Sequence, residues 1–167
     1  DAIGEQDGFD LRLYAVEYYC PTCDEQGRER SAVKGYKQAE AFDQGLYAAA
    51  EQEWSQQDGL REYVPDEEIP EGAITVASSI SGNDVFQHGY TDWSEFFNSR
   101  QLLNLAKTLR SIDGVGSSNV EEYLLLMISE TLNYNTMMTS YNPGKNLIAN
   151  IFNTNSFDPP QRPVESN

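Results

Sequence analysis

The sequence predicts a mainly α-helical protein with a small β-hairpin, an α+β fold with a three-helix core. Apolar residues recur at three- and four-residue steps near positions 38–57, 99–112 and 118–139, which is the spacing of an amphipathic helix. Closer to the N-terminus, apolar and polar residues alternate, as they do in a strand with one covered face. The three helical stripes together offer enough apolar surface for one core.

Three parts follow one another along the chain in this prediction. A β-hairpin with a C-x-x-C turn occupies 9–36, a helical domain occupies 37–150, and an extended tail occupies 151–167. The tail holds three prolines and shows no period, which favours a surface segment over a helix or strand.

The predicted hairpin begins with the stretch Phe9–Tyr19, where apolar and polar residues alternate and aromatic residues are frequent. This strand leads directly into Cys20-Pro21-Thr22-Cys23, which predicts a tight turn. Asp24–Gly27 has the composition of a second turn, and we expect a return strand over 28–36.

The first predicted helix covers 38–57 and is closed by Asp58-Gly59, a typical helix end. Its apolar face consists of Ala39, Phe42, Leu46, Ala50 and Trp54. Two prolines and four acids in Tyr63–Gly72 predict an extended connector, and the polar stretch Ser78–Gly89 predicts a loop.

The second and third helices each begin with a capping-box pattern, Asn98 with Gln101 and Ser118 with Glu121. In the second helix the predicted inward residues are Leu102, Leu105, Ala106, Leu109 and Ile112. In the third, which we expect to extend to about Met138, they are Tyr123, Leu124, Met127, Ile128, Thr131 and Leu132. Gly114-Val115-Gly116 follows a helix, so it predicts a helix end instead of a phosphate-binding loop.

The chain is strongly acidic, with 27 Asp and Glu against 11 Lys and Arg and a formal net charge of -16. Such a surface repels itself unless salt screens it, which favours the cytoplasm of an extreme halophile over a mesophilic acidic protein that binds cations or basic partners. No stretch approaches the length of a bilayer span, so we expect no membrane partner. The N-terminus has neither an initiator Met nor a signal region, which indicates a piece excised from a larger protein.

The two cysteines, Cys20 and Cys23, are the most chemically informative residues. A C-x-x-C pair supplies two of the four ligands of a structural zinc site, and strand, turn and return strand together look like half of a zinc ribbon. A free dithiol or disulfide and a redox site are the alternatives. A thioredoxin-like site needs cysteines that open a helix within a βαβ pattern, which Asp24–Gly27 does not provide. His88, the one histidine of the sequence, lies far along the chain.

Four cations lie within ten residues of one another: Arg28, Arg30, Lys34 and Lys37. In so acidic a chain, this cluster is a candidate for phosphate contacts with DNA, with Tyr36 available to stack on a base. A solvated hairpin face is the alternative interpretation. Asp158-Pro159-Pro160-Gln161 is similar to the Asp-Pro-Pro-aromatic motif of amino-methyltransferases, but Gln161 has no ring to stack on an extruded base, so we interpret it as a chance match.

Three stretches taken together resemble the interior of a family of large adenine-specific DNA methylases that contain a zinc ribbon. They are Arg12–Cys23, Asp92–Leu103, and Leu124–Asn135 with its continuation at Phe152–Thr154 and Pro163–Asn167. The most specific element is Phe97-Asn98-Ser99-Arg100-Gln101-Leu102-Leu103.

In that family, a segment that binds S-adenosylmethionine precedes the matching region and a segment with an Asp-Pro-Pro-Tyr motif follows it. The resemblance therefore implies an insert that lacks catalytic residues, with S-adenosylmethionine bound by the parent protein alone. Cys20 and Cys23 correspond to the second ligand pair of the ribbon, whose first pair would precede Asp1. The implied partners are DNA, reached through the full-length parent, and the remaining methyltransferase segments.

Two functions from different classes follow. In the first, the chain is a non-catalytic insert of an S-adenosylmethionine-dependent adenine-specific DNA methyltransferase, with a structural or DNA-positioning role. In the alternative, it is a helical protein-interaction module with a zinc knuckle, a role that the acidic surface favours because it repels nucleic acid.

Overall fold

The computed structural model describes residues 12–28, 33–72, 85–142, 147–151 and 164. The chain divides into two compact units, Asp1–Gln52 and Glu53–Asn167. The division falls inside a helix, so neither unit coincides with the predicted parts at 9–36 and 37–150. No helix among the described residues has both the length and the apolar character needed to cross a bilayer.

The first unit contains the predicted hairpin. Strand β1 (Ala15–Tyr19) pairs antiparallel with β2 (Lys34–Gln38), with Ala15 opposite Gln38 and Tyr19 opposite Lys34. The return strand starts later than predicted. The turn residues form a one-turn helix, α1 (Pro21–Glu25), with Cys20 as its N-cap. The expectation that the cysteines do not open a helix is therefore wrong, because Pro at the first helical position is preorganised for a helical turn.

Helix α2 (Ala41–Gln56) follows. Trp54 and Tyr47 are buried, but Phe42 is 72% exposed and Leu46 is also exposed. The predicted apolar face is therefore wrong for Phe42 and Leu46. Trp54 follows Tyr47 by seven residues, about two turns, so the covered face keeps Trp54 and includes Tyr47 in place of Phe42 and Leu46.

The second unit holds two helices of equal length, α3 (Ser99–Asp113) and α4 (Ser118–Leu132). Gly114 caps α3, and Gly116 has a positive φ of 72°, which confirms the predicted helix end. Helix α3 packs against α4 and against a 3-10 helix at Asp58–Tyr63. Its buried residues are Gln101, Leu103, Ala106 and Ile112.

Helix α4 differs from its prediction. It ends at Leu132, and none of its residues is buried. Of the residues predicted to face inward, Tyr123, Met127 and Thr131 are exposed, whereas Leu124, Ile128 and Leu132 are half-buried. Helix α4 packs against α3, and a helix covered on one side leaves the opposite side in water.

Besides the buried residues of α3, the second unit has an apolar cluster built from connecting segments. It consists of Ile69, Val85, Phe96, Met138 and Ile151, with Phe86, Tyr90, Trp93 and Phe97 packed around it. Tyr90 and Trp93 each contact the Phe96 ring edge to face, at centroid distances of 5.7 and 5.5 Å. This cluster includes no residue of α2, α3 or α4, so the prediction of a core made by the three helices misses it.

A second hairpin follows α4, and no pattern predicted it. Strand β3 (Ser140–Asn142) pairs antiparallel with β4 (Leu147–Ala149). Beyond it, the Ile151 amide donates to the Asn133 carbonyl at 2.9 Å, and the Thr139 hydroxyl donates to the Val164 carbonyl. Except for residues 151 and 164, the predicted tail lies outside the described residues.

Candidate functional site

The cysteine turn lies at the end of the hairpin formed by β1 and β2. The Cys20 amide donates to the Val33 carbonyl at 2.6 Å, which extends the strand pairing as far as the first cysteine. The Cys23 amide in turn donates to Cys20 Sγ at 3.3 Å, and the two Cα atoms are 5.3 Å apart. The hairpin and the helical turn therefore hold both sulfurs at one small site.

The sulfurs of Cys20 and Cys23 are joined as a disulfide in this structure. An oxidised pair cannot bind zinc, because the metal requires deprotonated thiols. Once reduced, the two sulfurs fit one half of a tetrahedral thiolate site. Within the described part of the chain, no group of three or more His, Cys, Asp or Glu side chains is placed to hold a metal. The zinc half-site therefore stays a prediction that rests on Cys20 and Cys23.

The hairpin register divides the predicted basic cluster. Residues directly opposite each other share a face of the ribbon, and faces alternate along a strand. Tyr36 lies opposite Glu17, and Lys34 lies opposite Tyr19, so these four side chains share one face. Lys37 lies opposite Val16 on the other face. The structure thus brings Lys34 and Tyr36 together and separates them from Lys37.

The two other predicted members of the cluster are Arg28 and Arg30. Arg28 is exposed and follows Gly27, which has a φ of 68°. Such a left-handed conformation favours glycine because it has no Cβ. Arg30 lies outside the described residues, so its part in the cluster stays a prediction.

Glu17 is the charged neighbour of Lys34 and Tyr36, and the sequence patterns did not single it out. Its carboxylate contacts Lys34 Nζ at 2.7 Å and accepts a hydrogen bond from the Tyr36 hydroxyl at 2.7 Å. Burial raises the pKa of Glu17, but the hydrogen bonds from Lys34 and Tyr36 and the lysine charge outweigh it, so the pKa lies below its ordinary value. Part of the charge of Lys34 is therefore offset within the hairpin.

The charge of Lys37 is also offset, by carboxylates at the start of α2. Its ammonium contacts Asp43 at 2.9 Å and Glu40 at 3.2 Å. Hydrogen bonds to Asp43 and Glu40 raise the pKa of Lys37. The Glu40 amide and Lys37 lower the pKa of Asp43. The predicted basic patch thus carries less net positive charge than its sequence suggests.

Aromatic side chains make up the rest of the exposed hairpin surface. Tyr19 and Tyr36 are exposed on the Lys34 face, and the Tyr19 hydroxyl donates to Asp24. On the other face, the ring of Tyr18 lies over Gly35, where an added Cβ would approach Tyr18 Cζ to 2.5 Å. Sequence analysis identified Tyr36 but missed Tyr18 and Tyr19, because cross-strand contacts depend on a register that only the pairing sets.

The remaining motif with a chemical precedent, Asp158-Pro159-Pro160-Gln161, lies outside the described residues, and its interpretation as a chance match stays a prediction. The two sheets in the described part of the chain are two-stranded and antiparallel. Comparison of the chain with protein-family models, with curated proteins and with solved structures found no match.

Proposed function

We propose that this chain is a non-catalytic insert of an S-adenosylmethionine-dependent, adenine-specific DNA methyltransferase, in which it positions DNA. The observation behind this proposal is the hairpin, which places a C-x-x-C turn beside Lys34 and Tyr36. The resemblance of three stretches to a zinc-ribbon family of adenine methylases supports it. In the parent enzyme, S-adenosylmethionine would supply the methyl group for the amine of an extruded adenine. This chain would contribute contacts to the DNA strand and none of that chemistry.

The cysteine turn would serve this role as one half of a structural zinc site. Reduced Cys20 and Cys23 would donate two thiolates, and the other two ligands would come from elsewhere in the parent protein. Zinc in such a site stabilises the fold directly, because a preformed site does not exist in the unfolded chain.

The Lys34 face would contact the DNA backbone and unstacked bases. Lys34 with Arg28, Arg30 and Lys37 would contact phosphates, and Tyr36 would stack on a base, as aromatic residues do in sites for single strands. Glu17 competes with phosphate for Lys34, since it already contacts the ammonium group. A net charge of -16 also opposes the approach of DNA, but molar salt screens that repulsion. We therefore place the protein in the cytoplasm of a halophile.

Fluorescence anisotropy with labelled single-stranded and duplex DNA, in a series of KCl concentrations, tests the DNA contact. Glu17→Gln should tighten binding a few-fold, because it removes the competing carboxylate. Lys34→Ala should weaken binding and lower the slope of log affinity against log salt by about one, the loss of one phosphate contact. Lys107→Ala is the matched control, since Lys107 pairs with Glu53 in the second unit. Absence of binding at every salt concentration, or equal effects of Lys34→Ala and Lys107→Ala, would remove the DNA-contact role.

A specific observation favours the second function, a helical protein-interaction module with a zinc knuckle. Lys34 and Lys37 both contact carboxylates of their own unit, so the hairpin surface carries mixed charge that a protein partner could also recognise. Size-exclusion chromatography of the protein that contains this chain, isolated from its native cells, distinguishes the two functions. A stoichiometric protein complex free of DNA supports the module, and co-elution with DNA supports the insert.

A further inference from the structure

Helix α4 exposes a continuous apolar stripe, formed by Val120, Tyr123, Leu126 and Met127. Residues three, four and seven positions apart lie on the same side of a helix, and these four fall within one third of the helix circumference. Tyr123 is 72% exposed, and Leu126 and Met127 are each 67% exposed. Single exposed apolar residues are ordinary, but contiguous stripes of this kind mark interaction sites.

The opposite side of α4 is the side that the fold covers. Leu124, Ile128 and Leu132 are half-buried, and they lie on the far side of the helix from Leu126. The stripe adjoins this covered side at Val120 and Met127, which are helix neighbours of Leu124. At Leu126 it forms a second apolar side of the same helix.

Two carboxylates lie beside Leu126 on this side of the helix. Glu122 is four residues before Leu126, and Glu130 is four residues after it, so both lie next to that side chain on the helix surface. Two adjoining surface depressions, of about 370 and 400 Å³, are each lined by Glu122 and Leu126. Both depressions thus combine an apolar wall with a negative charge.

The charge around the stripe has a single sign. The sequence from Ser111 to Asn142 contains acidic residues and no Lys, Arg or His. Among the described residues, no ion pair involves Glu122 or Glu130. The complementary surface therefore needs apolar side chains that cover Tyr123, Leu126 and Met127, together with cations that reach the two carboxylates.

We propose that this face of α4 is the docking site for a basic amphipathic segment of another protein. Such a segment would lay apolar residues, spaced at three and four positions, along the α4 stripe, with Lys or Arg beside them. Long cationic side chains suit this geometry because their stems cover apolar surface while their charged ends reach the carboxylates. A second copy of this chain is a poor occupant, because its own α4 would bring further carboxylates to the contact. The proposal does not depend on the hairpin or on zinc.

Binding to a pair of designed helical peptides tests the proposal. Both peptides carry Leu at three- and four-residue spacing, and they differ only in flanking Lys or flanking Glu. The full chain is titrated with each peptide at the lowest KCl concentration at which circular dichroism shows it folded. We expect the Lys peptide to bind the chain and the Glu peptide not to bind it. Added KCl should weaken the binding of the Lys peptide, because salt screens the contacts between charges.

Substitutions in the chain locate the contact. Leu126→Asp should raise the Kd of the Lys peptide by about tenfold, the scale of a side chain central to an interface. Joint Glu122→Gln and Glu130→Gln should raise the Kd a few-fold and reduce its salt dependence. Leu46→Asp in α2 is the matched control, because Leu46 is another exposed leucine on a helix, and it should leave the Kd unchanged.

Three results would overturn the proposal. The first is equal binding of the Lys and Glu peptides, and the second is an equal loss of affinity with Leu46→Asp and Leu126→Asp. The third is sedimentation of the chain as a dimer that Leu126→Asp dissociates, which would make a second copy the occupant. Because Leu126 and the two carboxylates lie outside the core, their replacement should leave the helical circular dichroism signal intact.

Discussion

Helices α3 and α4 are equal in length and adjacent in sequence, yet the structure covers them very differently. Helix α3 has four buried residues, whereas α4 has none, although α4 is the more apolar of the two by sequence. Helix α3 packs against both the 3-10 helix at Asp58–Tyr63 and α4. The amount of apolar surface on a helix therefore does not decide its burial; the number of neighbours does.

The two helices also begin differently. Asn98 accepts a hydrogen bond from the Gln101 amide at 2.9 Å, and the Gln101 side chain accepts one from the Asn98 amide at 3.0 Å. Ser117 precedes α4 without a capping hydrogen bond from its side chain. The start of α3 is thus held by reciprocal bonds in a buried setting, and the start of α4 is not.

The largest difference between α3 and α4 in the free energy of unfolding is expected when one leucine of each helix is replaced by alanine. Leu103→Ala in α3 should lower the free energy of unfolding by about 2–4 kcal/mol, because it removes a buried side chain and leaves a cavity. Leu126→Ala in α4 should change it by about 0.5 kcal/mol or less. Urea denaturation followed by circular dichroism measures both. Equal losses would show that α4 is buried in the folded protein in solution.

A smaller difference in the free energy of unfolding is expected when one polar residue near the start of each helix is replaced by alanine. Gln101 is buried, and its side-chain amide also donates to Asn135 at 3.5 Å. Gln101→Ala should therefore cost about 1–3 kcal/mol, the scale of a buried hydrogen bond whose partner is left unsatisfied. Glu121 also lies in the first turn of its helix, one position further along than Gln101, and accepts a hydrogen bond from the Gly116 amide at an exposed site at 3.2 Å. Glu121→Ala should cost about 0.5 kcal/mol or less, and thermal unfolding of both variants ranks them.

Replacing the N-cap residue of α3 should lower the free energy of unfolding by about 1 kcal/mol more than replacing the N-cap residue of α4. Asn98→Ala removes an N-cap hydrogen bond and should destabilise the protein by about that amount. Ser117→Ala removes no such bond, so its unfolding midpoint should match that of the parent chain. Because Asn98 and Gln101 bond to each other, the double variant should lose less than the sum of the single losses. A double variant whose loss of stability equals the sum of the two single losses would contradict a reciprocal cap.

The smallest effect is expected from the surface ion pair of α3. Lys107 contacts Glu53, and both side chains are about two-fifths exposed. Lys107→Ala should cost less than about 1 kcal/mol, and the cost should shrink as KCl is raised, because salt screens exposed charges. Urea titrations at low and high KCl measure this. A cost that is independent of salt would indicate that the aliphatic part of Lys107 matters more than its charge.

The candidate site was predictable in part. The C-x-x-C turn, the hairpin and the cluster of cations follow from residues close together in sequence. The separation of Lys34 from Lys37 and the contact of Glu17 with Lys34 and Tyr36 do not, because they depend on which residues of β1 and β2 are paired. Shifting that pairing by one residue would move every side chain of one strand to the other face.

The sequence by itself determined where α3 begins and ends, but it placed the end of α4 too late. The reciprocal cap of Asn98 and Gln101 and the helix end at Gly114 were predicted from local patterns, since capping and backbone preferences act between residues a few positions apart. Only the tertiary structure decided which apolar faces are covered. The core joins Ile69, Phe96 and Met138, which are far apart in the chain, while the exposed side of α4 has the same helical periodicity as a buried one. Burial depends on what lies across from a side chain, and a local pattern contains no information about that neighbour.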